Sequence, residues 1–122
     1  MITSNNKNLK VIPLGGLGEI GKNMMAIEYD GQILIIDAGI AFPSEIKPVS
    51  SFGVSDTSYL NDRKNMILGV LITHGHDDHI GGLPHFLNEY NVPVYSSRLT
   101  REFIKFKLGN KNKVDLRTIN FY

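Results

Sequence analysis

Three of the four histidines in this 122-residue chain fall within six positions, His74-Gly75-His76-Asp77-Asp78-His79, together with two carboxylates. Neutral imidazole and carboxylate suit Zn²⁺ or Mn²⁺, and a chain without cysteine has no thiolate to offer instead. The hexad follows directly on Leu68–Thr73, an unbroken apolar run that reads as a strand buried on both faces. Side chains two apart in an extended segment point the same way, so His74 and His76 can grip one ion. Asp78 and His79, after a turn, can grip a second. Two ions about 3.5–4 Å apart can activate a water near neutral pH and clamp a phosphodiester for in-line attack. The competing reading is an exposed polar turn with incidental histidines, and this density of ligands at a strand end speaks against it.

The elements that must carry this loop are legible in outline. Leu9–Leu14 is a short apolar run that stops at a glycine cluster and reads as a strand. Met24–Tyr29 and Gln32–Asp37 are two further strands joined at Asp30-Gly31, a dipeptide suited to a tight hairpin turn. Gly39–Gly53, with Pro43 and Pro48, reads as loop, and Asp56–Asn65 as a short helix with Ser55 as a candidate cap. After the His-rich loop, Gly82–Tyr90 reads as a helix with Pro84 in its first turn. Val92–Ser96 is a strand, Leu99–Leu108 a helix that Gly109 would end, and Val114–Phe121 a last strand. A hairpin followed by strand–helix–strand units predicts an α/β chain with a mixed sheet.

Other chemistry-bearing residues need weighing against the hexad. Gly16-Leu-Gly18-Glu-Ile-Gly21 matches a dinucleotide-binding fingerprint, and Gly16–Lys22 matches a phosphate loop. Both need a helix to begin at the last glycine, so that its N–H groups face phosphate. Only about nine residues separate Gly21 from the hairpin turn, and Asn23 stands where a phosphate loop needs a hydroxyl. A tight loop joining two strands is the better reading. Asp37, at the end of its strand, is either a turn cap or an acceptor that orients a metal-binding histidine. His85 lies one turn into the next helix and reads as a surface histidine rather than a ligand.

Composition narrows the class. The chain is 42% apolar and 20% charged, which fits one globular domain and neither a disordered tail nor a membrane protein. The first ten residues are polar and Asn-rich, without the apolar core of a signal peptide, so the expected location is cytoplasmic. Charge is uneven: residues 1–97 carry six basic and ten acidic side chains, residues 98–122 seven basic and two acidic. Arg98, Arg101, Lys105, Lys107, Lys111, Lys113 and Arg117 could meet nucleic-acid phosphates, but the solvated face of a helix and a polar loop is the favoured reading.

The hexad matches the His-x-His-x-Asp-His signature of the metallo-β-lactamase superfamily. Three stretches in order, Leu14-Gly-Gly-Leu-Gly-Glu-Ile-Gly-Lys-Asn23, Ile36-Asp-Ala-Gly-Ile-Ala-Phe-Pro43 and Ile72-Thr-His-Gly-His-Asp-Asp-His-Ile-Gly-Gly-Leu-Pro84, resemble the N-terminal part of the bacterial ribonuclease J family in its β-CASP branch. The likeness runs over about residues 9–108 in one register. It implies the N-terminal part of an αββα sandwich, with residues 1–8 a disordered tail and 9–122 an incomplete domain. It also implies a two-metal ribonuclease that acts from the 5′ end of RNA and internally, in RNA maturation and mRNA decay. By match, His74 and His76 would bind one zinc, and Asp78 and His79 the other; Mn²⁺ or Mg²⁺ are alternatives. Asp78 would help position or deprotonate the attacking water, and Asp37 would be an orienting carboxylate. Asp77 occupies the variable slot of the signature and carries no family role. RNA would be the partner, with homo-oligomers in the full-length family. The family's remaining ligands, two histidines and a bridging aspartate, would lie beyond this stretch, since no histidine follows His85 and the only later aspartate is Asp115. The 122 residues alone are therefore expected to be inactive and to bind metal weakly. Alternatives are another hydrolase of the superfamily, such as a glyoxalase II-like or tRNA 3′ processing enzyme, or a non-catalytic fragment that pairs with another chain.

Overall fold

The computed structural model describes residues 7–41, 55–109 and 113–120. Residues 1–6 of the expected tail, most of the expected loop Gly39–Gly53, and Phe121 lie outside the described residues. Six strands form one sheet in the order β1-β2-β3-β4-β5-β6: Lys10–Gly15, Met24–Tyr29, Gln32–Ile36, Ile67–Leu71, Val94–Ser96 and Leu116–Thr118. The first three are antiparallel and the rest join in parallel, which is the mixed α/β sheet expected from the hairpin and the later strand–helix–strand units. The hairpin turn has Asp30 at φ 50° and Gly31 at φ 76°. Positive φ at both central residues matches the twist of a two-residue hairpin, and glycine accepts it without a Cβ clash.

Among the described residues, three helices follow the parallel strands: α1 (Asp77–Ile80), α2 (Leu83–Glu89) and α3 (Arg98–Leu108). Pro84 sits in the first turn of α2, where its missing N–H costs nothing. Ser97 caps α3 by accepting from the Thr100 N–H at 3.3 Å, and Gly109 ends it at φ 60°. Thr100, Ile104 and Leu108 recur every four residues and are buried, so one stripe of α3 is committed to the core. Ala26, Ile33, Ile35, Val70 and Val94 supply the sheet side of that core, and Leu83, Phe86 and Tyr90 of the α2 region join the helical side. Val11, Met25 and Tyr29, which alternate with core-facing residues along their strands, lie on the opposite sheet face and are exposed. One sheet and one helical layer are thus present among the described residues. None of the helices there is long and apolar enough to cross a membrane.

Two local expectations are corrected. Leu68–Thr73 is not buried on both faces: Leu68 is 51% exposed. Ile33 pairs with Ile67 and Leu34 with Gly69, so Leu68 is the extra residue of a β-bulge and turns outward. Asp56–Asn65 is not one helix either, but 3₁₀ turns at Ser58–Leu60 and Lys64–Met66. Ser55 does not cap them; its hydroxyl donates to the Lys22 carbonyl at 2.9 Å, while Asp56 takes the Ser58 N–H. Leu60 and a Tyr59–Glu28 hydrogen bond of 3.0 Å pin this segment to the sheet. Lys10, 3.4 Å away, further balances the nearly buried Glu28 carboxylate.

Candidate metal centre

The chain leaves β4 at Leu71 and turns at the end of the sheet, which is where side chains escape the core and become available to a ligand. His74 and His76 emerge there on one side, their ring centroids 4.6 Å apart in an edge-to-face arrangement. His76 is extended (φ −75°, ψ 148°) and hands the chain to α1, so Asp78 and His79 fall in the first turn of that helix. One ligand atom from each of His74, His76 and Asp78 lies within 4.8 Å of the other two. Two imidazoles and a carboxylate at that spacing suit a divalent cation, and three protein ligands plus water is the usual set of a catalytic zinc.

His79 stands beside this trio. Its Nε2 is 3.4 Å from Asp78 Oδ2, and its ring centroid is 4.1 Å from that of His74. The expected division paired His74 with His76 and Asp78 with His79. The Asp78 carboxylate lies between the two sets and reaches both.

Asp37 joins this cluster through Thr73 and His79. Its left-handed backbone (φ 63°) ends β3 and turns the side chain in toward the loop, where it is 5% exposed. Asp37 Oδ1 accepts from the Thr73 N–H at 2.7 Å. Asp37 Oδ2 accepts from the Thr73 hydroxyl at 2.8 Å and pairs with His79 Nδ1 at 2.7 Å. A carboxylate only accepts, so Nδ1 of His79 supplies the proton of this bond, while Nε2 faces Asp78 Oδ2 and the Asn23 amide. The Thr73 hydroxyl has one hydrogen, given to Asp37; its oxygen then accepts from His74 Nδ1, 3.0 Å away. His74 Nε2 then keeps its lone pair. The Asp37 carboxylate thus bonds to Thr73 and His79, 36 and 42 residues away in sequence.

Asn23 was not among the expected site residues, yet its Nδ2 donates to the Asp78 carbonyl at 3.1 Å and to Asp78 Oδ2 at 3.2 Å, with His79 Nε2 at 3.5 Å. Its backbone also pairs with the site: the Asn23 N–H donates to the Asp78 carbonyl, and the Gly39 N–H to the Asn23 carbonyl. No helix follows the glycine-rich loop, which runs into β2 as the tight-loop reading held. The loop delivers Asn23 to Asp78 across 55 residues of sequence. A polar residue closing a glycine run was the only local signal, and nothing in its spacing pointed to the hexad. Gly39 completes the approach, because a Cβ there would collide with the Asp78 main chain.

His85 lies apart from the ligands and pairs with Glu89 one turn on, at 3.6 Å, as a surface histidine would. Three of the basic C-terminal side chains meet carboxylates, two of them within the same stretch. Lys105 meets Glu102 at 3.3 Å, and Lys107 meets Asp77 at 2.8 Å. Arg117 donates to Asp115 at 2.8 Å, and this hydrogen bond holds the Asp115 carboxyl below its ordinary range. Lys111 lies outside the described residues.

A model of the metallo-beta-lactamase superfamily matches residues 17–116. Ribonuclease J2 of Bacillus subtilis is 41% identical over 123 aligned positions, which cover 98% of this chain and 22% of that protein. Ribonuclease J of a Synechocystis strain is 40% identical over 92% of this chain and 18% of its own length. The chain thus spans about a fifth of the curated relatives it matches. Among solved structures, a diphosphatase of the PhnP family superposes with a TM-score of 0.64 at 18% identity, over 93% of this chain and 51% of that one, a likeness of fold.

Proposed function

The chain belongs to the metallo-β-lactamase superfamily, and from that premise we propose that it carries the N-terminal metal-binding part of a ribonuclease of the J type. The proposed substrate is RNA, cleaved from its 5′ end and internally. The observation that carries the reading is the union of the His74–His76–Asp78 cluster with 40–41% identity to ribonucleases J across nearly the whole chain.

His74, His76, Asp78 and His79 would hold two divalent cations, zinc being the first choice for imidazole and carboxylate donors. Bound there, the ions would supply Lewis-acid polarisation of the phosphodiester and lower the pKa of the attacking water toward neutrality. The chain's own residues prepare that chemistry. Asp37 fixes the protons on Nδ1 of His79 and, through Thr73, of His74, which leaves both Nε2 lone pairs ready to ligate without a tautomer change. Asn23 restrains Asp78 Oδ2. The second carboxylate oxygen of Asp78 is then available to hold, or take a proton from, the attacking water.

The test is cleavage of a 5′-monophosphorylated RNA by the chain joined to the remaining segments of a ribonuclease J. Cleavage that is abolished by His76→Ala and by chelation supports the reading. Hydrolysis of a thioester or of the 3′ trailer of a tRNA, with no degradation of the 5′-monophosphorylated RNA, would contradict it.

A further inference from the structure

Asp77 and Gly75 occupy the variable slots of the histidine signature, and neither is assigned a part in holding metal. Their surroundings give both a role. A Cβ built on Gly75 would come within 2.8 Å of Phe103 Cδ2 and 3.1 Å of Phe103 Cβ and Cγ, so the α3 aromatic ring is seated directly on this glycine. Gly75 is absent from the positive-φ residues, and the need for glycine there is set by that ring rather than by backbone conformation. Two residues on, Asp77 Oδ1 is 2.8 Å from Lys107 Nζ.

The two contacts share one geometry. Phe103 and Lys107 are four apart and form one stripe of α3. Gly75 lies between His74 and His76, whose rings lie together, and Asp77 follows directly as the first residue of α1. The stripe therefore touches the segment that presents the two imidazoles at two points along it. A neighbouring stripe, Thr100, Ile104 and Leu108, is buried in the core, so the helix is an anchored platform.

We propose that α3 is a brace for the metal-binding loop, with Phe103 and Lys107 as positioning residues that fix His74 and His76 through Gly75 and Asp77. This rests on the reading of the two histidines as metal ligands. The division of labour follows from exposure. Asp77 is 60% and Lys107 35% exposed, so their ion pair contributes modestly to stability and serves mainly as a tether. The Phe103 ring, half covered, supplies the packing.

The experiment uses the 122-residue chain, with zinc affinity from competition against a chromophoric chelator and amide hydrogen exchange over residues 74–80 without metal. Phe103→Ala should weaken zinc binding about tenfold, as loss of ligand-orienting contacts does elsewhere, and speed exchange in the loop. Lys107→Gln should do both to a lesser degree, and Lys107→Arg should restore them. Phe106→Ala, on the same helix but 90% exposed, should change neither. Wild-type affinity together with unchanged loop exchange in both Phe103→Ala and Lys107→Gln would overturn the brace. Absence of zinc binding by the wild-type chain, with exchange still rising in Phe103→Ala, would instead remove the ligand reading and leave the brace of the loop standing.

Discussion

Asp37 Oδ2 lies 2.7 Å from His79 Nδ1, joining the end of β3 to the first turn of α1 across 42 residues of sequence. A buried carboxylate in this position is costly unless its lone pairs are used, and Asp37 uses them on the Thr73 N–H, the Thr73 hydroxyl and the imidazole. One side chain thereby sets the register between two loops and the protonation pattern of two candidate ligands.

Asp37→Ala should accordingly lower metal affinity by about 10- to 100-fold, the range seen when a ligand's hydrogen-bond partner is removed. It also leaves the Thr73 N–H without an acceptor, which costs about 1–3 kcal/mol if it stays buried. Thermal unfolding of the metal-free chain and a zinc titration separate the two effects. Asp37→Asn keeps the shape but supplies one acceptor oxygen where two now serve, so its affinity should fall between alanine and wild type.

Asn23 offers a sharper contrast because its neutral amide can be replaced by a carboxylate of the same shape. Asn23→Ala removes the two Nδ2 hydrogen bonds to Asp78 while the main-chain pairing with Asp78 and Gly39 persists. The expected loss is about tenfold in metal affinity with little change in stability. Asn23→Asp places a like charge about 3 Å from the Asp78 carboxylate, a repulsion that exists only while both are ionised, so it should lower the melting temperature near neutral pH and lose that effect as the pH falls. Equal zinc affinity in all three proteins would show that Asn23 does not restrain the ligand.

Gly39→Ala tests the docking of the two loops. The added Cβ meets the Asp78 main chain, which cannot yield without moving α1. Overpacking of this kind costs about 1–3 kcal/mol or more, and both melting temperature and metal affinity should fall together. A melting temperature equal to wild type would mean the loops are not held as closely as the Asn23 and Asp78 hydrogen bonds require.

The parts of this arrangement that were legible in the sequence are those that depend on near neighbours. His74 and His76 are two apart and their rings meet, as their spacing led one to expect, and Asp30-Gly31 marks its hairpin through backbone conformation alone. Asp37 could be placed at a strand end, but its partners Thr73 and His79 lie 36 and 42 residues away and leave no trace in its local sequence. Asn23 was illegible because its role is a contact with a residue 55 positions away. Leu68 was misread for a related reason: an apolar run does not reveal a bulge, which arises from the pairing of β4 with β3. Ser55 looked like a cap by residue type, but a carbonyl on the glycine-rich loop takes its hydroxyl instead. Gly75 and Asp77, variable slots by motif, acquired partners only when α3 folded against them.

Whether the hexad holds metal bears most directly on what this site does. Native mass spectrometry of the 122-residue chain, titrated with zinc and compared with His76→Ala, measures this without any assay of activity. The expected result is zinc bound to the wild-type chain and lost from His76→Ala at the same zinc concentration, with both proteins folded by circular dichroism. Identical zinc content in the two, or none in the wild type, would contradict the assignment of His74, His76, Asp78 and His79 as ligands.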